Sequence, residues 1–375
     1  MSFKDIVCQD RAIAILQQAY GSDRWTHAYV FAGPEGVGKH KTAMAWARLL
    51  LCGDPKTTST SMGAVHDGCG SCQSCTLLEA GSHPDLHLVY KELREFTEEG
   101  QGKGPPVELV IDVIREFLIS KVSVRPSLSS RRVFVVSEAE KLNVAGQNAL
   151  LKVLEEPPAY CSILLLCTRL DKLLPTIRSR AQILRFGPVD RQVIVERLKT
   201  MGMEGPTSAY LAALAQGSLG AACTFASLER AGAGLYATKK DLVTALVGCN
   251  LADALGLAQR CVDQAKVISE VWAGLDKATS KSDLNRRASK LVVWMILLAV
   301  EDAMKWTLVP RGPMANGDQE ALIERLADRL GSEGAAEWIA DGFEAMRWIE
   351  ASVNERLAFE RFLLRRIGPG IMTVL

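Results

Sequence analysis

Short, wholly apolar runs alternate along the first half of the chain with longer stretches in which apolar residues recur every three to four positions. Residues 27–32 (HAYVFA), the apolar part of 131–136 (RRVFVV) and residues 162–168 (SILLLCT) have the continuous hydrophobicity of strands buried on both faces. Residues 39–51 (KHKTAMAWARLLL), 109–120 and 141–156 carry helical spacing, and Pro157 and Pro158 stop the last of these abruptly. Its apolar positions Leu142, Ala145, Ala149, Leu150 and Val153 form one stripe suited to packing on a sheet. The alternation predicts a doubly wound α/β core with a parallel sheet over residues 1–187. Residues 91–106 (KELREFTEEGQGKGPP) are polar and broken by glycine and proline, which predicts a surface loop.

Residues 188–234 read as a small helical lid domain, and from 235 to 375 only helices are expected. Amphipathic stretches fall at 241–247, 252–268, 283–306, 318–330 and 335–367, with Trp272, Trp294, Trp306, Trp338 and Trp348 as core material for a bundle. A chain of 375 residues accommodates the two or three domains this implies, and 48% hydrophobic content supplies their cores. A net charge of +1 leaves no polybasic tail, so contact with DNA would have to come from local patches. The N-terminal MSFKDIVCQDRAIAI has charges where a signal peptide needs an apolar core, which predicts a cytoplasmic protein. The longest apolar run, 291–300, is far short of the roughly 20 residues that span a bilayer. It is expected to be a buried helix, with no membrane partner.

The candidate chemistry begins between the first strand and the helix that follows it. GPEGVGKH, residues 33–40, has the spacing of a phosphate-binding loop: Gly33, Gly36 and Gly38 would let backbone N–H groups close around phosphates, and Lys39 would reach the outer oxygens. His40 stands where a serine or threonine would coordinate Mg²⁺. The bland alternative is an ordinary glycine turn, but strand, loop and helix come in the order a phosphate loop requires. The second half of such a site is a strand ending in a magnesium-binding aspartate and a water-positioning glutamate. Here Ser137 occupies the aspartate's place and Glu138 the glutamate's. Magnesium prefers oxygen ligands including one or two carboxylates, so His40 and Ser137 together predict a nucleotide fold whose own hydrolysis is abandoned or much reduced.

Ten cysteines are many for a chain with no export signal. Cys8, Cys161, Cys167, Cys223, Cys249 and Cys261 are expected as small buried hydrophobes. Cys52 ends the helix after the phosphate loop. Cys69, Cys72 and Cys75 follow a polar loop as C-x₂-C-x₂-C, completing four soft ligands for tetrahedral zinc. A disulfide is disfavoured without export, and a redox C-x-x-C normally lacks two further cysteines nearby. His66, His83 and His87 are not needed as ligands. His83 precedes a strand, where a packing or turn role is expected.

In order, HAYVFAGPEGVGKH, CGSCQSC, GSHPDLHLV, NALLKVLEEPP and TIRSRAQILRF resemble the delta-prime clamp-loader family of bacterial DNA polymerase III, a branch of the AAA+ ATPases, over about residues 1–225. NALLKVLEEPP and the cysteine module are shared with the tau/gamma motor subunits, whereas the altered magnesium ligands and HPDL favour delta-prime. The resemblance implies an AAA+ core, a structural zinc, a helical lid and a helical collar that oligomerises. It implies a pentamer with tau/gamma and delta subunits that acts on a sliding clamp and primed DNA. Thr168 falls at the first sensor, although a threonine closing a strand is often only that. In GSLGAA, residues 217–222, Leu219 and Gly220 stand where an active subunit offers an arginine to the γ-phosphate. The family's serine-arginine-cysteine motif maps onto Ser179, Arg180 and Ala181, so Arg180 is the expected finger reaching a neighbour's ATP. The competing reading is a surface arginine paired with a carboxylate. ATP and Mg²⁺ are not expected to be turned over in this chain's own site. A catalytically active AAA+ ATPase is the alternative reading.

Overall fold

The computed structural model describes residues 2–60, 63–97, 108–277, 279–310 and 312–367. Two compact units divide the chain, one comprising residues 1–190 with 218–220, the other residues 191–217 and 221–375.

Among the described residues the first unit has seven strands: β1 Ala28–Ala32, β2 Lys56–Thr60, β3 Gly63–Asp67, β4 Leu86–Val89, β5 Arg132–Val136, β6 Cys161–Cys167 and β7 Gln182–Arg185. Five form a parallel sheet in the spatial order β4-β5-β6-β1-β7. The three apolar runs are its central strands, and every residue of β1, β5 and β6 is buried. Strand alternation divides them between two cores. Val30, Phe134, Val136, Ile163 and Leu165 pack with Leu150 and Val153 of the helix Val144–Glu155 and with Val113 and Leu118. Tyr29, Phe31, Val133, Val135 and Leu164 pack with Trp46, Leu49 and Leu50 of the helix Lys39–Leu51.

Several local expectations are corrected. The polar stretch between Cys52 and Cys69 contains an antiparallel hairpin, β2–β3, with Thr58 opposite Val65. The helix expected from residue 141 starts at Val144, because the Asn143 side chain caps it by accepting from the Gly146 amide at 2.8 Å. That start exposes Ala145 and buries Gly146 and Gln147 in its place. The helix expected at 109–120 runs from 111 to 122 with a π turn at Arg115–Ile119. Lys91–Phe96 forms a 3-10 helix with Leu93 buried, and the rest of the expected loop lies largely outside the described residues. Cys8 and Cys223 are half-buried, whereas the other four isolated cysteines are buried.

Among its described residues the second unit has helices and no strand. Arg191–Thr200, Gly205–Leu214 and most of Leu219–Arg230 precede Leu235–Gly248, Leu251–Leu275, Lys281–Leu308, Glu320–Glu350 and Glu355–Ile367. The run 291–300 is a buried helical segment, as expected. The two helices expected on either side of residues 331–334 meet at a kink where Gly331 (φ 62°) leaves helical backbone, and the expected 335–367 helix is interrupted after Glu350. Of the five tryptophans assigned to the core, only Trp338 is fully buried, and the others are half-buried. Among the described residues no helix is long and apolar enough to cross a membrane.

Candidate functional site

The phosphate-type loop closes β1 and opens the helix Lys39–Leu51. Gly36 (φ 71°) and Gly38 (φ 106°) adopt left-handed backbone that side chains disfavour. At Gly33 the constraint is space: a Cβ there would lie 2.3 Å from the Phe186 carbonyl oxygen. Gln9 ties the loop down, its Nε2 donating to the Val37 and Gly187 carbonyls at 3.1 and 2.9 Å. These contacts fix the course of the loop. Its lysine, however, points inward. Lys39 is buried, and its Nζ donates to the Gly33 and Pro34 carbonyls of its own loop. Burial lowers the ammonium's pKa, opposed first by the charge of Glu140. The Gly220 amide donates to the Gly36 carbonyl at 2.9 Å, and a Cβ at 220 would come within 3.0 Å of the Gly36 Cα. At Gly220, one of the two residues where the second sensor is expected, there is thus backbone against the loop, with little room for a Cβ.

Of the other residues singled out, Ser137, Glu138 and Thr168 follow the ends of β5 and β6, and the carboxylate of Glu138 and the hydroxyl of Thr168 are already engaged. His40 is exposed at the start of its helix. Ser137 continues the β5 ladder, its amide donating to the Val89 carbonyl at 2.9 Å. Glu138 has left-handed backbone (φ 50°), and its carboxylate pairs with Lys141 at 2.5 Å and Lys91 at 3.2 Å. Burial alone would raise its pKa, but Lys141 and Lys91 outweigh it and hold the carboxyl below the usual glutamate value. Thr168 donates both its amide and its hydroxyl to Glu140 Oε1. Glu140 Oε2 is buried without a hydrogen-bond partner. Glu140 is the residue that sequence reasoning missed. Its only signal was a second acid two positions beyond Glu138, in a place no phosphate-loop pattern marks.

Arg180 lies just beyond the short helix Pro175–Arg178, before β7. Its Nη2 pairs with Glu155 at 2.8 Å and its Nη1 donates to the Thr176 carbonyl at 3.2 Å, with both side chains of the ion pair substantially exposed. In this chain alone the arginine therefore has the surface pairing weighed above, while remaining accessible. Arg178 differs: its Nε is buried without a hydrogen-bond partner.

Cys52, Cys69, Cys72 and Cys75 converge, all four sulfurs lying within 4.8 Å of one another. Three of the sulfur pairs are 3.6 Å (Cys52–Cys75), 3.8 Å (Cys52–Cys72) and 4.0 Å (Cys69–Cys75) apart. A tetrahedron with metal–sulfur bonds of about 2.3 Å has edges of about 3.8 Å, so the cluster fits zinc, and the separations are far from a disulfide bond of about 2.05 Å. The amides are arranged for thiolates as well. Cys52 accepts from the amides of Cys69 and Asp54, and Cys69 from those of Ser71 and Cys72. Gly53 and Gly70, each following a ligand cysteine, donate across to Cys72 and Cys75. None of the histidines set aside above is needed. His83 is buried and serves a turn, its Nδ1 accepting from the Asp85 amide at 3.1 Å.

Residues 8–190 match the family described as DNA polymerase III, delta subunit, and residues 278–367 match its C-terminal family. The delta-prime subunit of Pseudomonas aeruginosa is 37% identical over 167 residues, 44% of this chain and 45% of that protein. The Escherichia coli delta-prime subunit is 34% identical over 212 residues, 55% of this chain and 56% of that one. The gamma/tau subunit of Mycobacterium tuberculosis is 31% identical over 324 residues, 80% of this chain and 50% of that protein. The chain spans about half the length of the curated relatives it matches. Among solved structures, a gamma subunit-related protein of Thermotoga maritima aligns over 95% of this chain and 98% of its own, with 14% identity and a TM-score of 0.42. The chain belongs to the DNA polymerase III delta-prime family, the clamp-loader family that its motifs resemble.

Proposed function

We propose that this protein is a clamp-loader subunit that lends Arg180 to ATP held by a neighbouring tau/gamma-type subunit and turns over no nucleotide of its own. It would act in a pentamer with tau/gamma and delta subunits, in the cytoplasm, during ATP-dependent placement of a sliding clamp on primed DNA. In this reading residues 1–187 are the AAA+ core, 188–234 the lid and 235–375 the oligomerising collar, and the four cysteines hold a structural zinc.

One contrast carries the proposal. Lys39, Glu138 and Thr168, which an active site would turn toward nucleotide, are each held by groups of the same chain at the ends of the central strands, whereas Arg180 is tethered at the surface, by an exposed ion pair with Glu155 and one hydrogen bond to the Thr176 carbonyl. Exposed pairs are worth about 0–1 kcal/mol, so redirecting the guanidinium to a partner's phosphate costs little. An arginine in that position would stabilise charge developing on the transferred phosphoryl group. The test is clamp- and DNA-stimulated ATPase activity of the reconstituted complex. Arg180→Ala is expected to reduce it substantially, although by less than the ~10³–10⁵ typical of a finger serving a single site. Assembly should be intact by gel filtration, and Arg178→Ala serves as the register control. Full activity without either arginine would refute the assignment.

The gamma/tau match, which extends over more of this chain than the delta-prime matches, favours a second reading in which the protein is an active ATPase. Turnover by the purified subunit that Lys39→Ala abolishes would establish that reading instead.

A further inference from the structure

The Arg48 side chain lies against the cysteine cluster. It projects from the last turn of the helix Lys39–Leu51, one turn before Cys52. A helix prefers a cation at that end, and this alone would account for an arginine there. Its surroundings go further. The guanidinium hydrogen-bonds the Cys75 sulfur. A Cβ on Gly68 would lie 2.6 Å from the Arg48 Cγ, and one on Gly70 would lie 2.5 Å from its Nη2. The two glycines flanking Cys69 therefore leave the channel through which the arginine reaches the sulfurs. Gly70 also donates its own amide to Cys75, so backbone and guanidinium converge on one ligand.

Zinc bound by four thiolates leaves two uncompensated negative charges. The amides of residues 53, 54, 69–72 and 75 disperse that charge but carry none of their own. We propose that Arg48 is a positioning residue of the metal centre: it neutralises part of the charge of the zinc–thiolate cluster and orients Cys75, thereby slowing metal loss. The site would be tied in this way to the helix that begins with the phosphate-type loop. The inference rests on the zinc reading above.

Zinc-loaded full-length protein is challenged with a metallochromic chelator, and transfer of zinc is followed for wild type, Arg48→Met, Arg48→Lys and Gly68→Ala. Outer-sphere partners of metal ligands typically contribute about 10–100-fold in affinity, and Arg48→Met is expected to lose an amount in that range. Arg48→Lys keeps the charge without the fork and should fall between. Gly68→Ala keeps the arginine but crowds its stem. It needs no change of backbone region, since Gly68 is not among the positive-φ residues, and it should also speed release. Cobalt-substituted protein provides a second readout, because a hydrogen bond or charge at Cys75 shifts the thiolate-to-cobalt charge-transfer band whereas general loosening does not. Wild type that takes up no zinc would overturn both the metal reading and this one. Wild type holding one equivalent while Arg48→Met releases it at the same rate with an unshifted band would overturn only the role of Arg48. If Arg48→Met does not fold, the Arg48→Lys and Gly68→Ala comparison decides alone.

Discussion

Asp85 is the most consequential charged group outside the candidate sites. Its carboxylate is fully buried and accepts from the amides of Ser127, Leu128 and Ser129 at 2.7, 2.8 and 2.9 Å, and from Arg132 Nη2 at 3.3 Å. Arg132 is itself buried and donates to the Lys121 and Arg125 carbonyls. One carboxylate thus fastens the 125–129 loop to the sheet between β4 and β5. Burial would raise its pKa, but the Ser129, Ser127 and Leu128 amides, followed by Arg132, outweigh it and hold the pKa below the usual aspartate value.

In Asp85→Ala the three amides lose their acceptor and Arg132 loses its counter-charge. Breaking a buried pair by removing one partner costs about 3–5 kcal/mol. For a unit of this size each kcal/mol moves Tm by about 2–4 °C, so the first unit should melt about 6–20 °C lower. Asp85→Asn should recover little, because its amide group would set a donor against donors. A depressed carboxylate pKa stabilises fully above the unfolded value of about 3.9, and the contribution is lost as pH falls through the folded pKa. The gap between wild type and Asp85→Ala should therefore narrow on acidification below that value. Thermal melts and hydrogen exchange over residues 121–136 measure both effects, and Asp171→Asn, in an exposed pair with Arg169, should leave the melt unchanged. A Tm within about 2 °C of wild type at neutral pH, with unchanged loop protection, would refute the reasoning.

Two further outcomes are expected. In the second unit, Lys239 is fully buried on Asp318 and lies about 5 Å from the ring centres of Tyr210 and Tyr236. Asp318→Asn should therefore lower that unit's melting transition far more than Lys239→Met, because only the first leaves a buried ammonium without its carboxylate. Returning the usual magnesium ligands in the double variant His40→Ser, Ser137→Asp should leave the purified subunit without ATPase activity, because Glu138 remains paired with Lys91 and Lys141 and Thr168 with Glu140. Lys39-dependent turnover by that variant would show that the missing ligands alone had silenced the site.

The sequence was most legible where one physical signal dominated. Continuous apolar runs marked the three central strands, because parallel strands buried on both faces have no polar positions to obscure them. The phosphate-type loop and the cysteine cluster were readable because glycine conformation and thiolate ligation constrain residue type at fixed spacing. Contacts set by tertiary structure were not readable. Asp85 acts on a loop more than forty residues away, Gln147 donates to the Lys172 carbonyl and accepts from the Leu174 amide, and Glu140 faces Thr168 across a strand gap. The β2–β3 hairpin was hidden by a threonine- and serine-rich stretch with no apolar face to alternate. The half-buried tryptophans of the second unit carried too little positional information, since an indole on an amphipathic helix satisfies the same spacing in the core and at its margin.

The degenerate nucleotide site proposed here would differ from one that has merely lost its magnesium ligands, and the difference would lie in how its remaining polar groups are satisfied. A phosphate would have to draw Lys39 from two carbonyls, and an attacking water would have to draw Glu138 from two lysines. Thr168 would have to leave Glu140, whose second oxygen is already buried without a partner. Each exchange strips a charged or buried group of charge-assisted hydrogen bonds, which are worth about 1.5–3 kcal/mol apiece, and the ligand must supply all of them at once. Arg180 faces the opposite situation, substantially exposed and tethered by one exposed carboxylate and the Thr176 carbonyl. Internal satisfaction on the face that would hold nucleotide, and loose tethering of the arginine that would serve another subunit, favour a division of labour in which this chain contributes to catalysis only in trans.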